Sequence, residues 1–281
     1  MKTGVCNSTV AVEQRAAVRL IASDLDGTLF GHDHRPAART VAAVNAAREA
    51  GIIVVAATGR SHFGGAALAT STGAEFDWFI GSNGGHRLNM QTRVVEERLT
   101  FDTGPVHEIR SSILNEFEDA GFGWELEGHL VYDANFLRLS AYSLDGKART
   151  GLIEDHTDLD GIGKMFVIHP EIPSHDLIDR VIDHAPPEHN VASSGTDFVE
   201  ITPPGADKGA SLARLCSLID ITADEVIAFG DNNNDLTMLE WAGRSYAMAN
   251  AVPEAKDHAD EVTLSNAEFG VAEVIESLLA A

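Results

Sequence analysis

Val18-Arg19-Leu20-Ile21-Ala22-Ser23-Asp24-Leu25-Asp26-Gly27-Thr28 is the stretch that decides the fold. A short apolar run stops abruptly at two carboxylates spaced i, i+2. Such a run reads as a buried strand feeding a loop. If strand geometry continues past the run, Asp24 and Asp26 project the same way. Gly27 lets the chain turn sharply behind them. A plain acidic turn has the same composition, since Asp and Gly are ordinary turn formers. The neighbouring segments decide between the two readings.

Downstream, Pro36 opens an Ala-rich stretch that Gly51 closes, the punctuation expected of a helix. Ile52 to Ala56 reads as a second strand running into Thr58-Gly59-Arg60. A helix over about 62–72 and a strand at Trp78 to Ile80 follow. Strand, helix, strand, helix, strand at this spacing predicts a parallel α/β sheet with right-handed crossovers. Ser82-Asn83-Gly84-Gly85 breaks the rhythm. Residues 87–193 have another texture, with strands expected at 93–99, 122–126, 129–132 and 164–169 and helices near 105–120 and 174–184. That pattern predicts an α+β insert. The α/β rhythm resumes with a strand at Phe198 to Ile201, a helix from Lys208 to Leu218, a strand at Val226 to Phe229, a helix over 233–242 and a strand at Tyr246 to Ala249. Ser265-Asn266-Ala267-Glu268 is a capping box before a last helix. The expected domains are an extension at 1–18, a core at 19–86 and 194–281, and a cap at 87–193.

The chain has 281 residues with 43 Asp plus Glu against 20 Lys plus Arg, a formal charge of −23. At about 150 residues per domain there is room for two domains. So acidic a surface repels phosphate backbones and anionic lipid, which argues against nucleic-acid and membrane partners. A small anionic substrate needs a local metal or lysine to enter. Two cysteines, Cys6 and Cys216, build neither a disulfide scaffold nor a four-ligand zinc site. No apolar run approaches the ~18 residues of a membrane span. The first residues carry no apolar signal region, and the Asn7-Ser8-Thr9 triplet reads as chance. A cytoplasmic protein is expected.

Three further features fall at strand ends or helix starts, where open α/β sheets bind ligands. Thr58-Gly59 offers a hydroxyl and a free amide for a phosphate oxygen, or simply an N-cap. Lys208 places a cation at the helix end that favours anions, which suggests an anion to hold there or a solvated surface lysine. Gly230-Asp231-Asn232-Asn233-Asn234-Asp235 sets two carboxylates and three amides directly behind a buried strand.

Acid pair, Thr, Lys and acid pair, in this order and these positions, resemble the haloacid dehalogenase-like hydrolase superfamily. The resemblance covers nearly the whole chain after residue 18. It is narrowest to the Cof-type (subclass IIB) phosphatases, whose Rossmann-like parallel-sheet core carries a C2B-type α+β cap between the second and third motifs. Asn83-Gly84, Glu200-Ile201-Thr202-Pro203, Met248-Ala249-Asn250-Ala251 and Ala259-Asp260-Glu261-Val262-Thr263 add to it. Gly85, where the pattern has a residue such as Ala, departs from it.

The resemblance implies a Mg²⁺-dependent phosphatase of small phosphomonoesters such as sugar phosphates. Asp24 would be the nucleophile and Asp26 the acid and base. Leu25 and Gly59 (by their amides), Thr58, Lys208 and Asn234 would hold the phosphoryl group. Asp24, Asp26 through its carbonyl, and Asp231 would bind the metal, with Asp235 beside it. A neutral-pH acid needs a pKa above the ordinary ~3.9, so the surroundings of Asp26 are expected to raise it. Like charges 4 Å apart cost about 4 kcal/mol at an effective dielectric near 20, which one lysine cannot offset for two carboxylates and a phosphate. A hard divalent cation can. A phosphosugar mutase-like transferase and a non-catalytic phosphometabolite sensor are the alternatives. Trp124, Glu125, His129, Tyr132 and Arg138 are cap candidates for substrate contact, Asn83–Gly85 and 193–197 the expected hinges. His32 and His34 could line the entrance but read more simply as surface, and Cys216 as core.

Overall fold

The computed structural model describes residues 17–31, 33–140, 149–152 and 161–280. The first part of the chain alternates β1 (Leu20–Ser23), α1 (Ala38–Glu49), β2 (Ile53–Ala57), α2 (His62–Ser71) and β3 (Trp78–Gly81). A hairpin, β4 (His86–Asn89) and β5 (Val95–Arg98), follows. The last part holds α6 (Lys208–Leu218), β12 (Val226–Gly230), α7 (Leu236–Trp241), β13 (Arg244–Ala247), α8 (Pro253–His258), β14 (Glu261–Val262) and α9 (Gly270–Leu279). Their strands form one sheet in the order β14-β13-β12-β1-β2-β3-β4-β5. β1 pairs in parallel with β12 on one side and β2 on the other. All four β1 residues are buried. A strand enclosed on both faces in this way reads as a continuous apolar run. Helices pack in pairs over the sheet, α1 on α9 and α6 on α7.

The segment between these parts carries α3 (Thr103–Glu116), β6 (Gly121–Leu126), β7 (His129–Tyr132), α4 (Ala134–Leu139), β8 (Arg149–Leu152), β9 (Lys164–Ile168), α5 (Ser174–Val181), β10 (Asn190–Ala192) and β11 (Val199–Thr202). These strands form a second sheet, β10-β11-β9-β6-β7-β8. One face packs on α3 and α5 through Ile109, Ile113, Trp124, Met165, Leu177 and Val199, among others. A second cluster of Tyr132, Phe136, Phe166, Ile168 and Phe198 fills the other face. The mixed α/β class with an α+β insert is therefore as expected.

Two strands pair with the other sheet from the one expected. The strand anticipated at 93–99 as part of the cap is β5, and it extends the large sheet beyond β4. The turn after β3 is so short that the chain can only return antiparallel, with Gly81 opposite His86. β11, read as the resumed core, is antiparallel to β9 and β10 in the cap sheet. The chain thus crosses between the sheets after β5 and again between β11 and α6. The second crossing passes so close to Gly84 (φ +97°) that a Cβ there would collide with the Asp207 carbonyl. Residues 193–197, expected as a hinge, lie in the β10–β11 loop of the cap sheet and on neither crossing. Of the expected extension, residues 1–16 lie outside the described residues. Val18 packs against the core and Arg19 bonds Glu225.

Candidate active site

β1, β2 and β12 are adjacent, so the loops leaving their carboxyl ends meet at one edge of the large sheet. The strand order reverses here, with β2 on one side of β1 and β12 on the other, and ligands of open α/β sheets bind at such a point. Asp24 follows β1, and its amide donates to the Phe229 carbonyl at 3.0 Å. Leu25 is buried, and its carbonyl accepts from Phe30 at 2.6 Å to close the loop. Gly27 takes φ +88°, and a Cβ there would collide with the Asp231 carboxylate. Thr28 Oγ1 donates to Asp231 Oδ1 at 2.5 Å.

Lys208 opens α6, where Asp207 supplies the N-cap by accepting from Ala210 at 2.8 Å. Its side chain is wholly buried, and Nζ donates to Asp24 Oδ1 and Asp235 Oδ1, each at 2.6 Å. The solvated-lysine reading is thereby excluded. Asp235 Oδ2 accepts from the amides of Asp231 and Asn232 at 2.9 and 3.0 Å, so Asp235 holds its own loop in shape. Oxygens of Asp24, Asp231 and Asp235 lie within 4.8 Å of one another. One ammonium faces three carboxylates. Burial, which Lys208 opposes, and the charges of Asp235 and Asp231 push the Asp24 carboxyl well above its usual range. Burial and Asp235 push Asp231 up to about 7. Lys208 is driven upward by its two carboxylates against its burial and stays charged. The cluster is short of positive charge and offers only hard oxygen donors, which suits a divalent cation such as Mg²⁺. The Asp26 carboxylate stands outside this group.

Asp26 corrects one expectation. Burial acts to raise its pKa, but the Arg60 fork and then His34 outweigh it, and the carboxyl lies below its usual value. Arg60 Nε and Nη2 donate to its two oxygens at 2.6 and 2.7 Å, and His34 Nδ1 lies 2.9 Å from Oδ1. A bidentate guanidinium favours the ionised carboxylate. In this arrangement the Asp26 carboxyl is held in its ionised form by Arg60. Arg60 has no role in the sequence reading; His34 lies at the surface as expected, and from there it touches Asp26. His32 lies outside the described residues.

Thr58 and Gly59 follow β2. Thr58 Oγ1 accepts from the Arg60 amide at 3.2 Å, which leaves the hydroxyl proton to donate elsewhere. Asn234 Nδ2 donates to Asn83 Oδ1 at 3.0 Å and to Ser194 Oγ at 3.1 Å. A Cβ on Gly59 would lie 2.9 Å from the same Asn83 oxygen and 2.6 Å from Ser194 Oγ. All nine residues read from the sequence therefore gather at one edge. Of the cap candidates, Glu125 reaches the core, through Ser82. Trp124 points into the helix-covered face and Tyr132 into the aromatic cluster. His129 bonds the Glu127 carbonyl, and Arg138 is exposed beside Asn135. Cys216 is buried in the core.

Sequence reasoning gave Lys164 no part and Glu200 none beyond the family resemblance. A charged residue opening the apolar strand Lys164-Met165-Phe166-Val167-Ile168, and an acid between Val199 and Ile201, were the available signals.

A largely parallel sheet whose central strand ends in an acid pair, with a buried lysine and a second acid pair beside it and a cap inserted between β5 and α6, defines a class of hydrolase. The sequence model of the haloacid dehalogenase-like hydrolases matches residues 21–275. The chain belongs to this family and is an enzyme of the phosphoric monoester hydrolase class. YxeH of Bacillus subtilis is 31% identical over 276 residues, covering 94% of this chain and 99% of that protein. The pyridoxal phosphate phosphatase YbhA of Escherichia coli is 30% identical, covering 93% of this chain and 98% of that protein. A haloacid dehalogenase-like hydrolase of B. subtilis with known structure superposes with a TM-score of 0.79 at 25% identity, covering 92% of this chain and 99% of that one. No helix among the described residues is long and apolar enough to cross a membrane.

Proposed function

We propose that the protein is a Mg²⁺-dependent phosphatase of small phosphorylated metabolites, sugar phosphates among them, working through an aspartyl-phosphate. The observation that carries this reading is the buried Lys208 ammonium bridging Asp24 and Asp235 beside Asp231. The relative named for pyridoxal phosphate supports a small phosphomonoester substrate. Asp24, Asp231 and the Asp26 carbonyl would hold the cation, with Asp235 beside them. When bound, the cation neutralises charge that gathers on the phosphoryl oxygens.

An Asp24 oxygen attacks phosphorus, and the bond from phosphorus to the ester oxygen breaks. Asp26, protonated once Arg60 has released it, gives its proton to the leaving alcohol. Water then attacks the aspartyl-phosphate and loses a proton to Asp26. The bond from phosphorus to Asp24 breaks, leaving inorganic phosphate and the restored carboxylate. Splitting one displacement into two is what a nucleophilic carboxylate contributes. Thr58 Oγ1, the Leu25 and Gly59 amides, Lys208 and Asn234 hold the phosphoryl oxygens throughout. Donors fixed in advance around developing charge are the largest usual source of rate.

The test is phosphate release from p-nitrophenyl phosphate and a panel of sugar phosphates, with Mg²⁺ and with chelator. Mg²⁺-dependent release and an acid-stable, hydroxylamine-sensitive ³²P label on Asp24 are expected. No release from any member would favour the sensor. A label that passes to sugar and not to water would favour the mutase.

A further inference from the structure

A second buried lysine lies where the two sheets meet, and the mechanism above does not use it. Lys164 opens β9 of the cap with its side chain 2% exposed. Nζ donates to Glu200 Oε1 on β11 and to the Gly59 carbonyl in the loop after β2, both at 2.6 Å. Glu200 Oε2 accepts from Asn83 Nδ2 at 2.9 Å and from Ser194 Oγ. Asn83 and Ser194 in turn accept from Asn234. Lys164 is thus one hydrogen bond from Gly59, and Glu200 is two from Asn234.

We propose that Lys164 and Glu200 are positioning residues for the phosphoryl pocket: this ion pair, contributed by the cap, fixes the orientation of the β2 loop and of the Asn234 amide. The proposal rests on the phosphatase reading of that pocket. By gripping the Gly59 carbonyl, Lys164 sets the plane of the Gly59–Arg60 peptide. The N–H of that peptide donates to Thr58 Oγ1 at 3.2 Å, so the same grip aims the threonine hydroxyl. Glu200 does the equivalent for Asn234. It accepts from the Asn83 Nδ2, which turns the Asn83 oxygen toward Asn234 as its acceptor.

The backbone supports this independently. Ser82 and Asn83 both sit in the left-handed region, φ 52° and 53°, which side chains with a Cβ avoid. Two such residues in succession persist only where their surroundings over-determine them, and these conformations collect at functional sites. Here the surroundings are the network: Ser82 Oγ donates to Glu125 Oε1, and Asn83 spans Glu200 and Asn234. Packing of apolar side chains would close the junction as well as a buried ion pair does. What the pair adds is direction, and it points at the phosphoryl donors.

The experiment compares full-length wild type with Lys164→Met/Glu200→Gln, which removes both charges and strands neither, and with Asn83→Gly, which cuts the relay at a backbone angle glycine accepts. Melting temperature reports folding. Calorimetric titration with inorganic phosphate in Mg²⁺ reports the pocket without turnover, and KM and kcat are measured for p-nitrophenyl phosphate and a hexose 6-phosphate. The expected result in folded variants is phosphate binding weakened at least about tenfold, with KM raised by a similar factor for both substrates and kcat changed less. Phosphate binding within twofold of wild type in a folded variant would overturn the proposal, and so would a KM rise confined to the hexose ester. If the double variant does not fold, Asn83→Gly decides by the same criteria. A wild type that neither binds phosphate nor releases it would instead remove the phosphatase reading, and this inference with it.

Discussion

Two buried lysines sit in one molecule with opposite electrostatic settings. Lys208 faces Asp24, Asp231 and Asp235, and the carboxyls of Asp24 and Asp231 are pushed upward by their burial first and then by the like charges beside them. Lys164 faces Glu200 and, at 3.9 Å, Glu125. Burial pushes Glu200 up, but Lys164 and the donors of Ser194 and Asn83 bring it below its usual range. Glu125 is raised by its burial and carries its proton more readily. At the junction between the sheets Lys164 is paired with Glu200 at 2.6 Å and stands 3.9 Å from Glu125, while at the catalytic edge one lysine faces three carboxylates. A compensated network orients its members. An uncompensated one leaves room for a cation and a phosphoryl group.

The contrast can be broken most sharply at Asp24. Asp24→Asn should lower kcat for phosphate release by at least about 10⁴-fold, since it removes the attacking atom. Without added metal it should melt no lower than wild type, because one of three crowded charges is gone. Phosphate release near the wild-type rate, or a large drop in melting temperature, would remove the assignment.

Lysine deletions come next. Lys164→Met leaves Glu200 buried without its main partner and should cost about 3–5 kcal/mol of stability by urea denaturation. Adding Glu200→Gln should recover most of that loss. Lys208→Met should also destabilise, but Asp235→Asn should rescue it far less, because Asp24 and Asp231 remain. Equal rescue at both sites would erase the distinction between them.

The catalytic edge was legible in the sequence and the junction was not. Asp24, Thr58, Lys208 and Asp231 each fall within two residues of a strand end or helix start, so local pattern and short spacing locate them. The core strands β1, β2, β3 and β12 were legible for a similar reason, being apolar runs separated by helices. β5 and β11 were misplaced because strand pairing is decided by partners. Val95-Glu96-Glu97-Arg98 carries no apolar face to show which sheet it joins. Glu200 looks like an error in an apolar strand until Lys164, 36 residues away, is seen beside it. Arg60 was in view, but its clamp on Asp26 depends on two side chains meeting across 34 residues.

Metal binding gives a smaller effect that separates the two networks again. Mg²⁺ at about 100 times its Kd should raise the stability of wild type by about 2.7 kcal/mol. Asp231→Asn should lose most of this gain, and Lys164→Met/Glu200→Gln should keep it. A thermal-shift series over Mg²⁺ concentration measures both. Loss of the gain in the junction variant would mean that the junction shapes the metal site too.

The smallest effect is the acid sensitivity of the junction. His86 is buried, with Nδ1 3.0 Å from Ser82 Oγ, and burial first, then His62 and Arg98, brings its pKa down to about 3. The ring is neutral in the folded protein, whereas the unfolded chain takes up a proton below about 6.5. Between those values the unfolded state binds more protons, so stability rises with pH. The contribution is fully present above pH 6.5 and is lost as the solution is acidified, at about 1.4 kcal/mol per pH unit. His86→Leu should flatten the fall in unfolding free energy between pH 6 and pH 4 by about that slope, measured by urea denaturation at each pH. A variant whose pH profile parallels wild type would show that His86 already carries its proton in the folded junction, and the neutral ring assigned here would fail with it.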